Sequence, residues 1–133
     1  MIKKLTHLIE SHSAVKDRVF KTSWFSKESR KVKISDADLC HAIRQVMQGQ
    51  ADDLGGGVYK KRLNDNMHRS IIIAKAGCYW IYAYLYAKKD RDNIAPDELA
   101  GFKRLAKDYS SASEVEIEKL LKEEELLEIC HDS

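Results

Sequence analysis

A chain of 133 residues, 44% hydrophobic and 33% charged with a single proline, is long enough to bury one modest core and too short for two. Its composition is that of a folded globular protein, not a disordered one, and its longest mostly apolar run, Ala76 to Ala87, falls far below the roughly 20 residues of a membrane-spanning helix. The net charge of +2 conceals an asymmetry: residues 18–34 carry six Lys/Arg against one Glu, residues 57–91 eight against two acids, and residues 110–133 two against eight, so a basic middle suited to a polyanion precedes an acidic end.

Residues 1–17 place Leu5, Leu8, Ile9 and His12 on one stripe, which predicts a short amphipathic helix as an N-terminal extension to a domain spanning residues 18–133. Thr6, His7 and Glu10 interrupt any signal-peptide core, so the protein reads as cytoplasmic. Cys40, Cys78 and Cys130 stand far apart without a CxxC pair and read as free thiols of a reducing compartment. RVFKT, Arg18 to Thr22, alternates like a strand, and the basic stretch after it is either a helical turn or a loop. Ser35 is an N-cap before Asp36 and Asp38, and Leu39, Ile43, Val46 and Met47 follow at helical spacing, so a helix runs to about Gly49.

Leu54 to Gly57 reads as a loop, after which the period changes to two. Val58, Lys60 and Arg62 alternate with Tyr59, Lys61 and Leu63; Arg69, Ile71, Ile73 and Lys75 alternate with Ser70, Ile72 and Ala74; a tight turn falls at Ala76-Gly77. The next strand sets Cys78, Trp80, Tyr82, Tyr84 and Tyr86 against Tyr79, Ile81, Ala83, Leu85 and Ala87. Together these make an antiparallel meander. Pro96 opens a helix with Leu99, Phe102, Ala106 and Tyr109 inward, and Ser113 with Glu116 is a capping box for another, with Ile117, Leu120, Leu121 and Leu127 inward and Glu123 to Glu125 outward. The expected fold is a small α+β domain: a twisted antiparallel sheet of about four strands, one helix before the meander and two after it.

Few chemistries fit. The LGGGV run precedes a strand instead of joining strand to helix, so it is no phosphate cradle. The five histidines stand alone, without metal-ligand spacing, and the neighbours Cys40 and His41 point about 100° apart on a helix; neither a metal nor another cofactor is expected. What remains is the basic set Lys60, Lys61, Arg62, Arg69, Lys75, Lys88, Lys89 and Arg91 at or near three adjacent strands, interleaved with Tyr79, Tyr82, Tyr84 and Tyr86. Cations beside aromatic rings suit the phosphates and bases of single-stranded RNA; a solvated sheet face is the plainer reading.

VFKTSWF, SDADLCHAI, DDLGGGVYKKRL, YAKKDRDNI and DELAGFKRLAKDY, in this order and spacing, resemble the RelE/ParE superfamily of bacterial type II toxins, and within it the HigB-like RelE toxins, over about residues 18–130. Relatives carry a longer Gly-Lys-Ser-Gly-Gly-Tyr-Arg stretch where this chain has NDNMHRS: Arg69 matches its arginine, and the glycines, lysine and tyrosine are absent. The resemblance implies a RelE-like fold and a ribosome-associated mRNA endonuclease that is neutralised by a helix-turn-helix antitoxin. RNA cleavage by its own 2'-OH needs proton transfer and stabilisation of charge on the phosphoryl oxygens. That assigns Arg69 and Arg62 to the phosphate, Lys88 to charge stabilisation, and His68 or Tyr86 to the proton, with Lys60, Lys61, Lys75, Lys89 and Arg91 binding RNA. Two alternatives stand beside it: a toxin of the same fold that poisons a protein such as DNA gyrase, and an inactive regulatory relative.

Overall fold

The computed structural model describes residues 17–75 and 78–131; the helix expected before Asp17 and the Ala76-Gly77 turn lie outside them. Strand β1 (Arg18–Thr22) passes straight into helix α1 (Ser23–Lys31), because Thr22 Oγ1 accepts the Phe25 N–H at 3.1 Å and caps it. The open choice after the first strand is thereby resolved as a full helix. Helix α2 (Asp36–Met47) starts with the expected cap, enlarged to a reciprocal box in which Ser35 and Asp38 satisfy each other's backbone N–H. Strands β2 (Asp52–Gly55), β3 (Val58–Leu63), β4 (His68–Lys75) and β5 (Tyr79–Ala87), helices α3 (Pro96–Ser111) and α4 (Glu114–Lys122), and strand β6 (Leu126–Ile129) follow.

The six strands form one sheet in the order β2-β3-β4-β5-β1-β6. All neighbours are antiparallel except β1 and β5, which run parallel, so the sheet is mixed and not purely antiparallel. Helices α1 and α2 cover one face, burying Phe25, Leu39, Ile43 and Val46 against Ile72, Tyr82 and Leu85. Helices α3 and α4 cover the other, with Ala106 and Ile117 against Val58, Ile71, Ile73 and Ile81.

Five expectations are corrected. The glycine run is the end of an edge strand and the turn of a hairpin: Gly55, Gly56 and Gly57 have φ of 87°, 60° and 82°, and a Cβ on Gly57 would sit 3.1 Å from the Ala74 carbonyl oxygen. Leu127 belongs to β6 and is half-buried, while Leu126 and Ile129 are buried; α4 ends before the three glutamates, Glu124 turns the chain with φ of 59°, and β6 then pairs with β1. Met47, at the last turn of α2, is 36% exposed.

Cys40 and Cys130 are joined in a disulfide with their Cα atoms 5.6 Å apart, leaving Cys78 as the free thiol; a separation of 90 residues hides this pair from any spacing rule. Finally, β5 does not alternate throughout. Ile72 faces Tyr82 and Ile71 faces Tyr84, so Ala83 is an extra, bulged residue, and the faces exchange there. Tyr82 stays on the α2 side, donating to the Leu39 carbonyl at 2.7 Å, whereas Tyr84 and Tyr86 turn toward α3.

Candidate functional site

The bulge and the parallel pairing together create a cleft. Pairing of β1 with β5 ends at Lys21 and Tyr82, so Tyr84 to Ala87, still paired with β4 on one edge, project beyond β1 and meet α1 on the other. Trp24 stacks on Tyr84, with centroids 5.1 Å apart and planes 16° apart, and Phe25 packs on Tyr82 at 5.0 Å. Between α1 and the end of β5 lies a cleft of about 410 Å³ bordered by Trp24, Lys31, His68, Tyr86 and Arg91. It continues past His68 and Ala87 into a second, more apolar one of about 780 Å³ beside Met67, Lys88 and Lys89. Acids share the walls, with Glu28 3.0 Å from Lys31 and Asp90 in both clefts.

Of the basic set, three side chains staple the segment after β5 to the sheet. Arg69 is 3% exposed; its Nη1 donates to the Asn66 carbonyl, the Asn66 Oδ1 and the His68 carbonyl at 3.0, 3.1 and 3.2 Å, and its Nη2 lies 3.2 Å from Asp92. That guanidinium ties the β3–β4 turn, where Asn64, Asp65 and Asn66 all have positive φ, to the loop beyond β5. Arg91 grips Glu98 bidentately at 2.7 and 2.8 Å, donates to Tyr84 Oη at 3.1 Å, and lies over the Tyr84 and Tyr86 rings. Glu98 also accepts the Ala95 N–H at the start of α3, and these bonds hold its carboxyl down at about 2. Lys60 donates to Asn93 Oδ1 at 2.7 Å.

Lys88 and Lys89 are exposed on the bend after β5. Arg62 is exposed as well, but it lines a separate cleft with His41, Gln45 and Asn64 across the β3–β4 turn. Lys61 alternates to the opposite face, donates to the Gln50 carbonyl at 3.1 Å, and has its pKa lowered by burial and by Arg62. Lys75 sits over the Tyr79 ring at the far end of β4, roughly 23 Å of strand away from His68. The eight basic residues therefore do not share one face.

His68 is half-buried, its Nδ1 3.1 Å from Asn64 Nδ2. Burial, then Lys89, pushes its pKa below the ordinary value, with Asp90 opposing. Tyr86 is 8% exposed, donates to the Asp92 carbonyl at 3.1 Å, and has its pKa raised chiefly by burial. Sequence reasoning brought His68, Tyr86, Lys88, Lys89 and Arg91 to this end of the sheet but missed Trp24, Asp92 and Glu98. The adjacent pair Trp24-Phe25, whose side chains cannot both face one core from a helix, was the available signal for the first. The acidic end is partly consumed by Arg18, which holds Glu128 at 2.8 Å.

No helix among the described residues is long and apolar enough to cross a membrane. No curated protein and no solved structure matches the chain. The family model described as "RelE toxin of RelE / RelB toxin-antitoxin system" matches residues 17–129. With that match over most of its length, and a small domain whose multi-strand sheet is flanked by four helices among the described residues, the chain belongs to the RelE toxin family of toxin–antitoxin systems, a family that implies an antitoxin partner.

Proposed function

We propose that this toxin is a HigB-like, cytoplasmic, ribosome-dependent mRNA endonuclease, held silent by a helix-turn-helix antitoxin. The observation that carries the reading is one cleft bordered by a histidine, two tyrosines and a tryptophan that opens onto two exposed lysines. In the reaction the 2'-oxygen gives up its proton and bonds to the adjacent phosphorus as the bond to the 5'-oxygen breaks; water protonates the leaving 5'-oxygen, so the products are a cyclic phosphate and a free 5'-hydroxyl. His68, kept neutral near pH 7 by its lowered pKa, is the proton acceptor. Asn64 Nδ2–H faces Nδ1 at 3.1 Å, which puts the ring proton on Nε2; Nε2 becomes the accepting nitrogen when the Asn64 amide turns over so that its Oδ1 takes the Nδ1–H.

Lys88 and Lys89 stabilise the phosphoryl oxygens. Tyr86 stays protonated, its hydroxyl donating to the Asp92 carbonyl. Arg69, buried and committed to four acceptors, acts by positioning the two loops, as do Arg91 and Lys60. Arg62 extends the RNA path across the β3–β4 turn, while Lys61 and Lys75 lie off it.

Brief induction of the chain alone, with the 5' ends of all messages mapped within minutes, tests this. New ends clustered inside translated frames, lost on His68→Ala or in the double variant Lys88→Ala/Lys89→Ala, are expected. The burial of Arg69 favours one competitor, a non-catalytic toxin acting on a protein such as DNA gyrase. Growth arrest with unchanged 5' ends would select it, and absence of arrest would select an inactive relative.

A further inference from the structure

Trp24 is 44% exposed, although its neighbour Phe25 is fully buried on the opposite side of β5. Its indole adds nothing to either core cluster, and Tyr84 is its one aromatic contact among the described residues. Tyr84 is itself fixed: Phe102 and Tyr86 pack on it, each at 5.8 Å, and Arg91 donates to its hydroxyl. The result is a braced aromatic stack ending in an exposed ring at the wall of the cleft that also contains His68.

We propose that Trp24 is a nucleobase-stacking platform. A base of the message next to the cleaved bond continues the Trp24–Tyr84 stack, while its phosphate lies toward His68, Lys88 and Lys89. The proposal rests on the RNA-cleaving reading and adds a positioning residue to it. Every base has a flat aromatic face, so such a platform supplies affinity without choosing sequence. The brace matters because a ring already held in place loses little conformational freedom when the base arrives.

The test uses the full chain with ribosomes programmed by a short defined message and, in parallel, the naked message. Trp24→Ala and Trp24→Leu should each lower kcat/KM about five- to a hundredfold, mostly through KM, and Trp24→Phe should recover most of the loss. Leucine preserves the apolar cover over Tyr84 and separates a packing role from a stacking one. If Trp24→Leu cuts as well as Trp24→Phe, or Trp24→Ala matches the wild type, the platform is wrong and the nuclease stands. If the wild type cuts neither substrate, the nuclease reading fails, and the platform with it.

A direct readout uses Trp80→Phe, which leaves Trp24 as the sole indole of the two in the chain. An oligoribonucleotide blocked by 2'-O-methylation should quench its fluorescence; quenching absent at oligomer concentrations that inhibit cutting would overturn the proposal.

Discussion

Arg69→Ala separates a structural arginine from one that touches substrate. The side chain is 3% exposed, and its removal strands two backbone carbonyls and the Asn66 amide oxygen. Hydrogen bonds from a charged donor are worth about 1.5–3 kcal/mol each, and because Asn66 is exposed, water takes up part of the loss at its two oxygens. The ion pair with Asp92 contributes less, because that carboxylate is 62% exposed. With partial relaxation of the turn, the loss is about 3 kcal/mol, which in a domain of this size lowers Tm by on the order of 10 °C. Arg69→Lys keeps the charge but cannot fork to both loops, and should lose about 1–2 kcal/mol. Urea denaturation with thermal melts measures both. A variant that melts within about 2 °C of wild type yet cuts no RNA would refute this reasoning and return Arg69 to the phosphate.

Glu98→Gln should remove a dependence of stability on acid pH. The Glu98 carboxyl titrates at about 2, below its ordinary 4.5, so its stabilisation is present above the unfolded value and fades as pH falls toward 2; denaturation from pH 5 to pH 2 should be flatter in the variant, and equal slopes would discount the Arg91 clamp. Reduction of Cys40–Cys130, or Cys40→Ser with Cys130→Ser, should lower stability by about 2–4 kcal/mol, while Cys78→Ser should leave the response to dithiothreitol intact; a denaturation curve indifferent to reductant would rule the bridge out as a stabiliser. Lys89→Gln should raise the His68 pKa by removing a repulsive neighbour, and proton NMR titration of the imidazole, together with the acid limb of the rate profile, should move upward in pH; an unmoved resonance would mean that Lys89 does not face His68.

Elements with their own stop and start chemistry were legible. Ser35, Pro96 and Ser113 mark three helices within a residue or so of where they begin, because the two serines satisfy local backbone donors and the proline removes one, whatever the surrounding fold. Strands β3 and β4 showed through alternation. The two edge strands did not, since four residues at Asp52–Gly55 and at Leu126–Ile129 are too few for a period of two, and their existence depends on partners distant in the chain. The bulge at Ala83 was equally invisible: Tyr-Ala-Tyr alternates whether or not an extra residue is accommodated, and only the opposing Ile71 and Ile72 decide. Likewise, counting charges located the basic end of the sheet but could not say which heads turn inward.

The run Lys88 to Arg91 shows why that last distinction governs the site. One bend after β5 divides four consecutive residues between two tasks. Lys88 continues the ladder with its N–H to the Met67 carbonyl at 2.9 Å and keeps its side chain in solvent, as does Lys89. Arg91 folds back over Tyr84 and Tyr86 onto Glu98, a geometry that a planar guanidinium satisfies and an ammonium does not. The two ion-paired arginines, Arg69 and Arg91, thus fix the loop from which the exposed lysines project, and a polyanion entering the cleft meets cations whose positions are already set. Charge at the strand end serves the ligand through the lysines and serves the fold through the arginines, so the two kinds of basic residue should fail differently on mutation: the lysines in activity alone, the arginines in stability first.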